Sequence, residues 1–140
     1  MTTIKELSNL KGRRALITGA TGELGKVMAD TLAELGADLV LVDRPGSDFD
    51  SLITNLTKCW GVRVEHQFCD LEQQARRAEL MAGLKNSDQR LNILINNAGF
   101  VGTSDLQGWG VPFEEQTVET WRRALAVSYT HLTLPTKRIV

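Results

Sequence analysis

The stretch Arg14-Ala15-Leu16-Ile17-Thr18-Gly19-Ala20-Thr21-Gly22-Glu23-Leu24-Gly25-Lys26-Val27-Met28 decides the fold of this 140-residue chain. Arg14 to Thr18 reads as a short strand, and three glycines follow at positions 19, 22 and 25. Leu24, Val27, Met28, Thr31, Leu32 and Leu35 then recur at helical steps, with Gly36 standing where a helix ends. In such a strand–turn–helix unit Gly19 makes the tight turn. Gly22 lets the backbone approach a phosphate without a Cβ, and Gly25 lets the helix lie close to the sheet. Free amides at the helix start, at the positive end of its dipole, then face a pyrophosphate.

Outward from this unit the same alternation repeats. Leu39-Val40-Leu41-Val42 is apolar on both faces, as in a central parallel strand. Phe49, Leu52, Ile53, Leu56 and Trp60 trace a second helix, closed by Gly61. Val62, Val64, His66 and Phe68 alternate with polar residues, which predicts a strand near an edge. Leu71, Ala75, Ala78, Met81 and Leu84 mark a third helix, and Leu91 to Ile95 a fourth strand. After a glycine-rich loop over 99–112, Val118, Trp121 and Leu125 mark a fourth helix. This order predicts an α/β fold, a doubly wound parallel sheet with strand order 3-2-1-4. Ligands bind such sheets at the switch point, here between the first and fourth strands.

Asp43 closes the second strand, eighteen residues past Gly25, where a carboxylate can accept both ribose hydroxyls of an adenosine and repels a 2′-phosphate. Taken without the glycine turn, it reads equally well as a turn residue before Arg44-Pro45-Gly46. A phosphate loop of the Walker type is excluded, because five residues separate Gly19 from Gly25 and Val27, not Ser or Thr, follows Lys26. Asp70 after the third strand reads both as an N-cap, with Gln73 completing a box, and as a neighbour of an adenine edge. Asn96-Asn97-Ala98-Gly99 ends the fourth strand across the switch point, with Ala98 and Gly99 small enough to let a ring or ribose pass.

Composition narrows the partners. Sixteen basic against seventeen acidic residues leave a net charge of -1, so neither nucleic acid nor an anionic membrane finds global attraction. No run approaches the roughly 20 apolar residues of a membrane span, and nothing at the start reads as a secretory signal. Cys59 and Cys69 are read as small buried hydrophobes, His66 as a partly buried sheet residue, and the cytoplasm as the default compartment.

Thr18 to Gly25, Asp43, Asp70-Leu71 and Asn96-Asn97-Ala98-Gly99 together resemble the short-chain dehydrogenases/reductases. Leu10-Lys11-Gly12 and Trp121 add to the likeness, which covers residues 8 to 127. The resemblance implies a Rossmann-like fold and nicotinamide-linked oxidation of alcohols or reduction of carbonyls. It implies that Gly19, Thr21, Gly22, Glu23, Leu24 and Gly25 surround the pyrophosphate and that Asp43 and Arg44 meet the adenosine ribose. Asp70 and Leu71 would flank adenine, and Asn97, Ala98 and Gly99 the nicotinamide side. Asp43 implies NAD over NADP, with Arg44 the reservation because it can pair with a 2′-phosphate. The partners implied are a small alcohol or carbonyl substrate and further copies of the whole protein.

The chain departs from the family's pattern twice. Glu23 takes the place of the middle glycine, a spacing similar to the extended branch of nucleotide-sugar epimerases and dehydratases; that side chain is expected to face solvent. The family's catalytic Tyr-x-x-x-Lys is missing, since the only tyrosine, Tyr129, has Thr133 four residues on. Residues 128–140 read as a non-family tail on a truncated gene, so 1–127 is expected to be an incomplete NAD(P)-binding domain without catalytic residues of its own. A non-catalytic dinucleotide-binding module stays open beside the oxidoreductase reading. The loop from Phe100 to Gly110 is expected to border the substrate mouth.

Overall fold

The computed structural model describes residues 3–87, 89–99 and 108–128; most of the expected substrate-mouth loop and the tail beyond Ser128 lie outside them. After a short helix α1 (Ile4–Leu7) the chain runs β1 (Arg14–Thr18), α2 (Glu23–Glu34), β2 (Asp38–Asp43), α3 (Asp50–Trp60), β3 (Val64–Phe68), α4 (Gln74–Lys85), β4 (Ile93–Ile95) and α5 (Val118–Ser128). The four strands form one parallel sheet in the order β3-β2-β1-β4, as the alternation predicts. Leu16 stands opposite Val40 on one side and Leu94 on the other, so β1 is the sheet's centre.

Because strand side chains alternate between faces, the two sides of β1 and β2 feed two cores. Ala15, Ile17, Leu39 and Leu41 meet Ala29 and Ala33 of α2 and Phe49, Leu52 and Leu56 around α3. Leu16, Val40 and Val42 face the other way, onto Cys69 and Leu71, with Leu80, Leu84 and Leu94 partly buried around them. The first face is closely packed. The second is lightly covered, for α4 has no buried residue, and a cavity of about 240 Å³ lies there between Arg14, Glu65, Arg76 and Leu84.

Several expectations are corrected. The face that α2 buries is only part of the large-residue stripe: Leu24 and Val27 are 68% and 64% exposed, Met28 and Leu32 pack against the core partly buried, and Gly25, Ala29 and Ala33 are buried. A helix that starts from a tight glycine turn lies too near the sheet for any side chain at its first point of contact. A Cβ on Gly25 would stand 2.2 Å from the Gly19 carbonyl oxygen. Strand β4 begins at Ile93 rather than Leu91, because Asn92 ends the ladder with its side chain, its Oδ1 accepting from the Arg14 amide at 3.0 Å. Cys59 is exposed on α3, where its Sγ lies 3.4 Å from Asn55 Oδ1, while Cys69 is buried. His66 is exposed at the sheet edge and rests against Phe49, ring centroids 5.0 Å apart.

The first residue of β1 is itself a polar anchor. Arg14 is 5% exposed, and its guanidinium donates to Ser87 Oγ, the Gln89 carbonyl and Glu65 Oε2. A buried cation is tolerated only with such partners. This one ties the start of β1 to the edge strand and to the segment leading into β4.

Candidate functional site

At the carboxyl ends of the strands, where β1 and β4 part, a cleft of about 560 Å³ opens. That lies within the usual size of a small-molecule pocket, at the switch point where open α/β sheets take ligands. Gly19, Thr21, Gly22, Glu23, Leu24, Asp43, Arg44, Asp70, Leu71, Asn97, Ala98 and Gly99 all line it. Gly25, the remaining expected residue, is buried behind it as the point of contact between α2 and the turn.

The floor of the cleft is the start of α2. Its N-cap is Gly22, which offers no side chain to the first turn. The first helical bond runs from the Lys26 amide to the Gly22 carbonyl at 2.9 Å. The amides of Glu23, Leu24 and Gly25 therefore lack a helical acceptor, and Glu23 and Leu24 line the cleft at the positive end of the dipole, which suits an anion. Gly19 holds the turn with φ +65°, where a Cβ would stand 3.0 Å from Ala98 Cα. Glu23 extends into solvent, 93% exposed and paired with Lys26 at 3.1 Å, so its charge is largely screened from the turn.

One wall is built around Thr18. Its Oγ1 accepts from the amides of Asn97 and Ala98, both at 3.1 Å, and lies 3.4 Å from the Ile95 carbonyl. The hydroxyl's one donor and two acceptor sites are thereby used. Asn97 returns the contact, its Nδ2 donating to the Thr18 and Gly19 carbonyls. The end of β4 is thus laced to the glycine turn. Asn96 is not among the cleft residues.

The opposite wall holds the carboxylate. Asp43 Oδ2 accepts from the Thr21 amide at 2.9 Å and from the Thr21 hydroxyl at 2.7 Å, while Oδ1 accepts from the Arg44 amide at 2.8 Å. Asp43 is thus more than a turn residue, since it is tied across the sheet to the glycine turn.

Beyond it lies the turn of Asp70 and Leu71. Asp70 does not cap the third helix, whose N-cap is Gln73 and whose first residue is Gln74. It shapes the turn instead, accepting from the Glu72 amide at 3.0 Å and Gln73 Nε2 at 2.7 Å. Leu71, 8% exposed, anchors the turn in the second core and so delays the helix. Two arginines hold the turn: Arg77 donates to the Leu71 carbonyl, and Arg123 of α5 donates to both oxygens of Glu72 at 3.0 and 3.1 Å. Glu72 holds the Arg123 guanidinium above its ordinary pKa. Burial, with Asp70 adding to it, pushes the Cys69 thiol up.

Ser47, Cys69, Glu72 and Val127 also line the cleft and were not expected to. The Glu72–Arg123 pair joins residues far apart in sequence, and no local pattern announces it. Among the described residues no group of acidic, His or Cys side chains could hold a metal ion, and no helix is long and apolar enough to cross a membrane.

Comparison with known proteins agrees with this geometry. A family model described as short chain dehydrogenase matches residues 13–140, past the expected boundary at 128. The galactitol 2-dehydrogenase of Rhizobium johnstonii is 30% identical over 119 residues, 85% of this chain and 43% of that protein. A short-chain dehydrogenase from Sphingobium yanoikuyae, solved in complex with NADPH, is 35% identical with a TM-score of 0.72; the match covers 86% of this chain and 44% of that one. A metagenomic short-chain oxidoreductase solved with NADP is 29% identical with a TM-score of 0.73, over 85% of this chain and 51% of that one. The chain spans less than half the length of the curated relative, and the cofactors named in these two structures do not support the preference for NAD expected from Asp43. Its family match, its parallel sheet and the lining of its cleft make this chain a member of the short-chain dehydrogenase family.

Proposed function

We propose that this chain is the dinucleotide-binding part of an NAD(P)-dependent oxidoreductase that interconverts alcohols and carbonyls. The observation that carries the reading is the single cleft holding both the open amides of α2 and the Asp43 carboxylate. The residues fit a dinucleotide: bare amides for the pyrophosphate, a carboxylate for the adenosine ribose, the Asp70–Leu71 turn for adenine, and Asn97 to Gly99 for the nicotinamide side. When bound, the nicotinamide supplies hydride transfer. This chain's own residues bind and orient it. The 140 residues contain no Tyr-x-x-x-Lys, so proton transfer to the substrate is assigned to other residues of a longer protein. The substrate is a small alcohol or carbonyl compound of unassigned class.

On electrostatic grounds Asp43 favours the unphosphorylated ribose of NAD, and neighbouring Arg44 offsets that preference. Titration with NADH and NADPH, followed by nucleotide fluorescence, tests the reading. Both are expected to compete for one site, with NADH tighter. Asp43→Ala is expected to weaken NADH and to spare or improve NADPH. No binding of either nucleotide overturns the assignment, and an Asp43→Ala variant with unchanged NADH affinity removes the ribose contact. If the longer protein also lacked Tyr-x-x-x-Lys, the non-catalytic binding module would be the better description.

A further inference from the structure

The contacts of Asp43 carry a consequence for how much of a ribose it can hold. An ionised carboxylate offers about four acceptor sites, two on each oxygen. Three are filled from within the chain: the Thr21 amide and hydroxyl occupy both on Oδ2, and the Arg44 amide takes one on Oδ1. One acceptor site is left, on Oδ1, while a ribose diol brings two donors.

We infer that the Thr21 hydroxyl is a specificity-determining positioning residue, limiting Asp43 to one ribose hydroxyl by occupying an acceptor site on Oδ2. The inference rests on Asp43 facing the adenosine ribose, as the proposed function has it. The two amides decide what the Thr21 hydroxyl is for. One N–H on each oxygen already fixes the plane of the carboxylate, and both belong to the backbone, so they survive any side-chain change at position 21. The hydroxyl adds no third direction. It is also the one donor of the three that a substitution can remove without touching the strand ends. Thr21 and Asp43 both line the cleft and both are part-buried, so an acceptor site freed there is open to a ligand.

The effect on cofactor choice has a definite sign. A second ribose hydroxyl on the carboxylate strengthens binding of an unphosphorylated ribose. A 2′-phosphate has no hydroxyl to offer at that position and still meets the negative charge. Removing the Thr21 hydroxyl therefore widens the preference for NAD, and restoring a hydroxyl narrows it again.

The experiment compares the wild-type chain with Thr21→Ala and Thr21→Ser, titrated with NADH, NADPH and the two monodeoxy forms of ADP-ribose. Alanine keeps the amide, removes the hydroxyl and puts no methyl in its place against Oδ2. The expected result is an approximately tenfold tighter NADH complex for Thr21→Ala, the size of one added hydrogen bond to a charged acceptor, with NADPH unmoved. Thr21→Ser is expected to match wild type. In the wild type one deoxy analogue is expected to lose affinity and the other to keep it; in Thr21→Ala both lose. Thermal melts establish that each variant is folded. A folded Thr21→Ala with NADH binding equal to or weaker than wild type overturns the inference and leaves the proposed function standing. A wild-type chain that binds no dinucleotide overturns both.

Discussion

Asn97 Nδ2 donates to two successive carbonyls of the glycine turn, Thr18 O at 3.0 Å and Gly19 O at 3.1 Å. One side chain thus satisfies the end of β1 and fixes the distance between that turn and the end of β4. Asn97→Ala removes both donors, strands the Thr18 carbonyl and leaves the Gly19 carbonyl with the Gly22 amide alone, at 3.2 Å. The expected cost is about 1–3 kcal/mol of folding free energy. Urea unfolding monitored by tryptophan emission measures it. A change within error would mean that the lacing between β1 and β4 adds nothing.

Gly22 and Gly25 separate two roles that glycine plays in one turn. A Cβ on Gly25 meets Gly19 O at 2.2 Å and Ala20 Cα at 2.8 Å, both backbone, so α2 must shift. Gly25→Ala is expected to destabilise the chain by roughly 1–3 kcal/mol, or more if α2 cannot move. A Cβ on Gly22 meets only Gly19 O at 3.4 Å, and its φ of -71° suits any residue. Gly22→Ala is expected to melt within a few degrees of wild type yet bind NADH roughly fivefold more weakly, because its methyl would stand where the proposed function puts the pyrophosphate's approach. Paired melts and titrations read both effects, and the assignment of roles fails if the two variants behave alike.

The bidentate Arg123–Glu72 pair links α5 to the turn expected to hold adenine, with side chains 41% and 29% exposed. Pairs this exposed contribute little to stability once solvent and salt screen them. Its effect is expected on the ligand instead. Arg123→Gln is expected to weaken NADH a few-fold, with a change in melting temperature of no more than about 3 °C. The fold-change is expected to shrink in 0.5 M salt, where the wild-type pair is also screened. Titration at two ionic strengths checks this, and an affinity identical in both proteins would dissociate α5 from the cleft.

The two thiols are expected to differ in reactivity. Cys59 is exposed, while Cys69 is 2% exposed with its pKa raised, first by burial and then by Asp70. A raised thiol pKa means less thiolate at any given pH, and thiolate is the reactive form. At pH 8 iodoacetamide is therefore expected to modify Cys59 within minutes and Cys69 only on the timescale of unfolding. Peptide mass mapping follows both sites. Equal rates would show that the second core opens freely.

The sequence specifies strand order and the location of the cleft because these follow from local patterns that the sheet cannot override. An apolar run such as Leu39–Val42 has no stable place except a covered central strand. The alternation of Val64, His66 and Phe68 suits only an edge. Residue-level contacts were less legible. The large side chains of α2 point to its buried face only in part: Met28 and Leu32 pack against the core from its flank, while the turn at Gly19 to Gly25 brings the helix so near the sheet that the residues along the contact are Gly25, Ala29 and Ala33. Asp70 carries the signature of an N-cap, but the anchoring of Leu71 delays the helix to Gln74. The Thr21–Asp43 bonds and the Arg123–Glu72 pair join positions 22 and 51 residues apart, and no periodicity encodes them.

A sheet gripped on one side and thinly clothed on the other does not resist heat evenly. The α4 side is where amide hydrogens are expected to exchange first, since little apolar surface has to be exposed for it to open. Leu71 belongs to that compliant side and also to the cleft wall. A guest settling on Leu71 therefore stiffens the weaker half of the molecule, and part of its binding free energy is spent on ordering protein rather than on affinity.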